Sequence, residues 1–266
     1  MWCKELFANF DSDLINGHVT DTYLDFRFTH MRQIFIIMLV VSGTLAGLGQ
    51  NILPQLKRET PDMAEIRREI TDRSGQYYYP RLMKEYLRND TLMKIDKFRR
   101  LYLGYMLQED YDPYRPSPIR KDLSSLYNTK KALTREQCDT VAKYAKLSLD
   151  NNPFDLRSMA LLIQALRDKG DINAAKVWQY KLNYILMAIV STGTGSDDEE
   201  AWWVVEPQHE YVLLNMMGFT VVDHAFVEPY FERIKVRDSH GRDAGEFYFN
   251  IQTVLDEHYR KYPEEE

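Results

Sequence analysis

From residue 60 onward, apolar positions recur at helical spacing for about 130 residues and then switch to strict alternation. Thr60-Pro61-Asp62 opens a first helix that runs through MAEIRREI to about Ile70, with proline and acid suited to a helix start. TDRSGQ follows as a loop. Pro80 starts a second helix, in which Leu82, Met83, Tyr86 and Leu87 share one face. A third covers about Met93 to Gln108, with Ile95, Phe98, Leu101, Tyr102 and Tyr105 as its stripe. Residues 110–118, DYDPYRPSP, hold three prolines and form an extended connection.

The middle of the chain is the most explicit. Thr134-Arg-Glu-Gln137 is a capping box, in which hydroxyl and amide satisfy backbone donors reciprocally. Behind it Cys138, Val141, Ala142, Ala145 and Leu149 form one stripe, which makes Cys138 a small buried group. Asp150-Asn-Asn-Pro153 ends this helix and begins the next, faced by Leu156, Met159, Ala160, Ile163 and Leu166. Lys169-Gly170-Asp171 is a turn, with Gly170 available for positive φ and Asp171 for capping. A long helix then carries Ala175, Trp178, Leu182, Ile185 and Ile189, and is apolar nearly all round from Tyr184 to Val190.

Beyond the loop STGTGSDDEE the period changes. AWWVVE (201–206) reads as a strand, and Gln208 to Met217 as a short helix that turns Tyr211 and Leu214 inward and ends at Gly218. Residues 219–222 are extended. FERIKVR alternates, with Ile234 and Val236 on one face and Arg233, Lys235 and Arg237 on the other. DSHGRDAG turns the chain, and EFYFNIQ returns with Phe247, Phe249 and Ile251 aligned, giving a hairpin with one buried side. Val254 to Tyr262 forms a last helix. The fold class is α+β: a helical array (50–190) packed with a small antiparallel sheet near the C-terminus (191–266), within one mature domain.

The run LSLDNNPFDLRSMALLIQALRDKGDINAAKVW resembles tetratricopeptide-like hairpins, with proline before one helix, Gly-Asp at the bend and Ala175 at the close approach. It covers about one and a half units, short of the three that a free-standing array needs.

The start of the chain changes the setting. Residues 31–49, MRQIFIIMLVVSGTLAGLG, have a basic n-region, an uncharged apolar run and small residues at Gly47 and Gly49, the pattern of a cleaved signal peptide. An uncleaved anchor is the competing reading, although the run is short for a span. Residues 1–30 carry five acids and two bases, which does not suit a signal n-region; a true start at Met31, with 1–30 a gene-start artefact or disordered extension, explains them. The expectation is an exported protein, periplasmic or extracellular, with no membrane span after cleavage.

The 266 residues have a net charge of −6 and a pI near 5.6, which argues against a nucleic-acid surface. Residues 50–266 hold 31 Lys and Arg against 35 Asp and Glu, and one cysteine, Cys138, so no internal disulfide supports the exported chain.

YYYPRLMKEYL with NDTL, FRRLYLGYMLQEDYDPYRP, NPFDL with KGD, STGTG, WVVEPQHEYVLLNMMGF and the closing YFN, in this order and spacing over about 60–252, resemble the exported bacterial family known as domain of unknown function 4919. The resemblance implies export, helical repeats and a small sheet, and implies no activity.

Candidate chemistry is sparse. STGTGS follows a helix and lacks the Lys-Ser/Thr of a phosphate loop, so it reads as a helix end released by glycines. His209-Glu210 lacks the second histidine of a zinc-protease helix, and His224, His240 and His258 are scattered, so no metal and no cofactor are expected. Asp197 to Glu200 lack the alternating spacing of a calcium loop. One sharper arrangement remains: the Ser191–Gly195 turn and the helix start at His209 and Glu210, brought together across the strand 201–206, would supply hydroxyl, imidazole and carboxylate for acyl transfer. Against it stands the plainer role of His209 and Glu210 in capping their own helix. Tyr111, Tyr114, Trp202 and Tyr211 are candidates to line a ligand groove. The preferred function is a non-enzymatic scaffold that binds a protein or peptide; a hydrolase using His209 and Glu210 is the alternative, and a glycan-binding module ranks third.

Overall fold

Two tyrosine hydroxyls decide where the sheet of this protein can begin. In the computed structural model, which describes residues 56–114 and 133–263, Val205 gives its N–H to the Tyr102 hydroxyl at 3.1 Å, and its carbonyl accepts from the Tyr111 hydroxyl at 2.6 Å. A residue whose backbone groups are both occupied this way has none left for a ladder. The strand expected over 201–206 is therefore reduced to β1, Trp202–Trp203. The leader 31–49, residues 1–30 and the later part of the proline segment 110–118 lie outside the described residues.

The described chain divides into two units: residues 133–179 with 259–263, and residues 56–114 with 180–258. In the first, α4 (Arg135–Asn151) and α5 (Leu156–Lys169) pair, and α6 (Ile172–Val190) begins. The capping box forms as predicted, with Thr134 N–H on Gln137 Oε1 at 2.9 Å and Gln137 N–H on Thr134 Oγ1 at 3.3 Å. Gly170 ends α5 at φ 87°, the left-handed conformation the turn requires. Cys138 is buried with Leu133, Val141, Leu161 and Ala165.

A buried carboxylate organises the α4–α5 junction. Asp155 caps α5 by accepting from Ser158 N–H at 2.9 Å, and also takes the hydroxyls of Ser158 (2.5 Å) and Ser148 (2.6 Å). Asp155→Ala removes the cap and strips both buried hydroxyls of an acceptor, with an expected loss of about 3 kcal/mol in a urea titration. Asp155→Asn, which keeps an acceptor, is expected to lose less than half of that.

In the second unit, α1 (Met63–Thr71) and α2 (Tyr79–Leu87) pack on α3 (Ile95–Tyr105). Gly104 lets α3 close on α1, since a Cβ there would lie 3.1 Å from Ile70 Cδ1. Ion pairs Arg100–Glu69 (2.8 Å) and Lys97–Glu85 (2.7 Å) flank the contact. The expected α3 stripe is buried at Phe98, Leu101, Tyr102 and Tyr105, and so are Leu103 and Gly104, which makes this helix more central than its periodicity predicts. Tyr180 and Tyr184, in the second half of α6, close over Phe98 with ring centroids at 5.9 and 4.9 Å.

The sheet has the order β1-β4-β3-β2, with β3 (Phe231–Arg237) antiparallel to both β2 (Thr220–Val227) and β4 (Asp243–Asn250). It is mixed rather than antiparallel throughout, because β1 runs parallel to β4. α7 (Gln208–Met216), β2 and β3 intervene between β1 and β4, and this crossover brings the later strand alongside in the same direction. β2 extends five residues past the expected 222, since the pairing with β3 resumes at Asp223 and His224 after a register shift at Val222. Ile234 and Val236 are buried while Lys235 and Arg237 are exposed, as the alternation predicts. α8 (Gln252–Lys261) follows β4.

Candidate functional site

α6 ends at Val190, and the next residues are consumed in holding that end. Ser191 donates its hydroxyl proton to the Ala188 carbonyl at 2.7 Å and accepts from Arg99 Nη1 at 2.8 Å. Its carbonyl accepts from Arg99 Nη1 (2.7 Å) and Glu59 N–H (2.9 Å), and Arg99 Nη2 also bonds the Glu59 carbonyl. A nucleophilic serine needs its proton on a base. Here the proton sits on a main-chain carbonyl.

The glycines serve a tight turn. Thr194 N–H and Gly195 N–H both go to the Glu200 carbonyl, at 3.0 and 2.7 Å, so these donors are already used and do not form an anion cradle. Trp202 Nε1 donates to the Gly193 carbonyl at 3.1 Å, and Tyr248 N–H to that of Gly195 at 3.0 Å. Asp197 ties the acidic run to itself, accepting from Glu200 N–H at 2.9 Å and the Ser196 hydroxyl at 3.0 Å.

α7 starts from Pro207, whose φ of −57° and ψ of −35° are already helical, and delivers His209 and Glu210 inward with both side chains at 0 % exposure. His209 Nδ1 lies 2.8 Å from the Tyr102 hydroxyl. That hydroxyl also accepts from Val205 N–H, so one phenol ties the imidazole to the backbone beside β1. Nε2 faces Glu206 Oε2 at 3.6 Å. The result is a buried sequence of phenol, imidazole and carboxylate.

Beside it lies a second set. Glu232 occupies the inner face of β3, and its Oε2 is 2.7 Å from His224 Nε2 on β2. Glu210 meets Glu232 from α7. Burial, then the charge of the neighbouring Glu232, push the Glu210 carboxyl well above the usual carboxylate range and favour its neutral form. Beyond this mutual contact, no donor among the described residues reaches either oxygen of Glu210 or Oε1 of Glu232. These groups have acid–base capacity, but with Glu210 at 0 % and Glu232 at 1 % exposure they face protein interior.

The candidates thus separate. Ser191 belongs with Arg99 and Glu59, His209 with Tyr102 and Glu206, Glu210 with Glu232 and His224. Tyr111 and Trp202 are interior groups, the Trp202 ring stacking on Phe247 at 5.2 Å and 17°. Tyr114 is half-buried with its ring edge-on to His258 at 5.0 Å, and Tyr211 half-buried beside His224 at 6.5 Å. The sequence reading places Tyr102 only in a helix stripe and His224 only among scattered histidines, and misses Glu206 and Glu232 altogether. For Glu232 a signal existed: positions 232, 234 and 236 share a face, and the latter two are apolar.

Among the described residues, no group of three or more His, Cys, Asp or Glu is arranged to hold a metal ion, and no helix is long and apolar enough to cross a membrane. No curated protein and no solved structure matches the chain. A family model described as a domain of unknown function (DUF4919) matches residues 64–260.

Proposed function

We propose that this chain, which belongs to the DUF4919 family, is an exported scaffold that binds a peptide or protein without transforming it. The observation that carries this reading is the complete burial of His209 and Glu210, the two residues best suited to chemistry, in contacts that hold α7 to the body of its unit. A catalytic group must reach its substrate within hydrogen-bond distance, and a sealed imidazole does not. Export rests on the leader pattern at 31–49. Binding rests on the open edge of the sheet at β2.

The hydrolase alternative draws on the Tyr102–His209 bond and the raised titration range of the Glu210 carboxyl, and requires α7 to lift away to admit substrate. His209→Ala separates the two. The scaffold reading expects no turnover of ester or peptide substrates by the wild type, and a loss of about 2–4 kcal/mol in the variant from the cavity and the lost bond between the Tyr102 hydroxyl and the imidazole. Wild-type turnover that disappears in a variant of unchanged melting temperature would replace it with the hydrolase. Export is read from the N-terminal sequence of protein recovered outside the cytoplasm, expected to begin near residue 50.

A further inference from the structure

β2 is an edge strand of unusual composition. It spans eight residues, TVVDHAFV, with β3 on one side, and among the described residues no backbone hydrogen bond from another element reaches it. In an antiparallel pair alternate residues direct N–H and C=O away from the partner, so about half of its backbone groups face outward. Edge strands are ordinarily blunted by lysines, prolines, short length or bulges. This one has neither Lys nor Pro, a single acid, and one irregularity between Val221 and Asp223. Val222 is 46 % exposed.

The register specifies what would fit. Directly opposed residues lie on the same face, and on the wet face one row reads Glu246, Lys235, Asp223 across β4, β3 and β2. The signs alternate, so the next position outward matches a cation. On the other face a row reads Phe249, Glu232, Phe226, and the next position lies against the half-buried Phe226 ring. A second copy of β2 brings no Lys or Arg to the slot opposite Asp223.

We propose that β2 receives an extended segment of a partner protein as a fifth strand, with apolar residues on the Phe226 side and a lysine or arginine opposite Asp223. This rests on the scaffold reading and names the surface and the class of partner. Main-chain bonds along the edge supply affinity, and the charge at Asp223 with the apolar row beneath it supplies selectivity.

The test uses the full chain, isotopically labelled, with two synthetic capped peptides: Thr-Val-Lys-Val-Thr-Val-Thr and the same peptide with Glu in place of Lys. Amide shifts are expected to be confined to 220–227 and the facing residues of β3. The Lys peptide is expected to bind about fivefold tighter than the Glu peptide, as for a directly opposed charge pair. Asp223→Asn, an exposed and nearly isosteric change, should abolish that preference with an unchanged melting temperature, and Asp223→Lys should reverse it. Binding of neither peptide, a preference unaltered in both variants, or shifts centred on α4 and α5 overturns the proposal. Self-association that excludes the peptide also overturns it, because a second copy is then the occupant. Shifts on α4 and α5 leave the scaffold reading standing, whereas turnover of substrate by the wild type removes that reading whatever the peptides do.

Discussion

Gly193→Ala is expected to leave little folded protein at 37 °C. A Cβ at this position would lie 2.2 Å from the Glu200 carbonyl oxygen, 2.8 Å from its carbon and 3.0 Å from the Ala201 oxygen. All three are main-chain atoms, so no rotamer change relieves the overlap. The turn must open by roughly an ångström, a distance that breaks hydrogen bonds of this length. The bonds at stake are those from Thr194 and Gly195 N–H to Glu200 and from Trp202 Nε1 to Gly193, and with them goes the seating of β1 against β4. Such a change belongs with the largest single-residue effects, about 4 kcal/mol or more, against a total stability of about 5–15 kcal/mol for a domain. Gly170→Ala is the internal control. Its φ is 87° but nothing lies within 4 Å of the added carbon, so the cost is the left-handed backbone alone, about 1 kcal/mol. Soluble yield and thermal melting of the two variants side by side check the expectation; similar behaviour would mean that the turn yields more easily than its geometry says.

The second large effect concerns pH. Glu210 keeps its proton in the folded chain to well above the 4.5 at which it titrates when exposed. Below pH 4.5 both states are protonated and this group favours neither. As pH rises past 4.5 the unfolded chain releases the proton and the folded chain retains it, so stability falls, at up to about 1.4 kcal/mol per pH unit, until the raised folded value is reached. The sign is opposite to that of a salt-bridged carboxylate. Glu210→Gln keeps an N–H donor for Glu232 and cannot ionise, so it is expected to equal the wild type near pH 4.5 and to exceed it as pH rises above that value. Parallel denaturant midpoints from pH 4.5 to 8 for both proteins measure this. Profiles that remain superimposed would assign the proton elsewhere.

The elements that could be read from the sequence are those whose causes are local. Thr134 and Gln137 lie within one turn of each other, Gly170 supplies its own positive φ, and the alternation of Ile234 and Val236 is a property of seven residues. What stayed hidden depends on partners distant along the chain. The strand at 201–206 is curtailed by Tyr102 and Tyr111, about a hundred residues away, and no local pattern announces them. Ser191 and His209 are near neighbours in sequence, yet Arg99 claims one and Tyr102 the other from the same helix. Glu210 could be picked out as a lone acid beside a histidine, but its meaning came only from Glu232, an acid where the period of β3 calls for an apolar residue.

The clasp of Arg99 on Glu59 and Ser191 bears on how this protein is handled at the bench. Glu59 lies five residues ahead of the point where the family match starts, and its main-chain N–H and carbonyl are both engaged. A recombinant version trimmed to the matched boundary would discard that tie and leave a guanidinium short of an acceptor, so the cut for expression belongs upstream of Lys57.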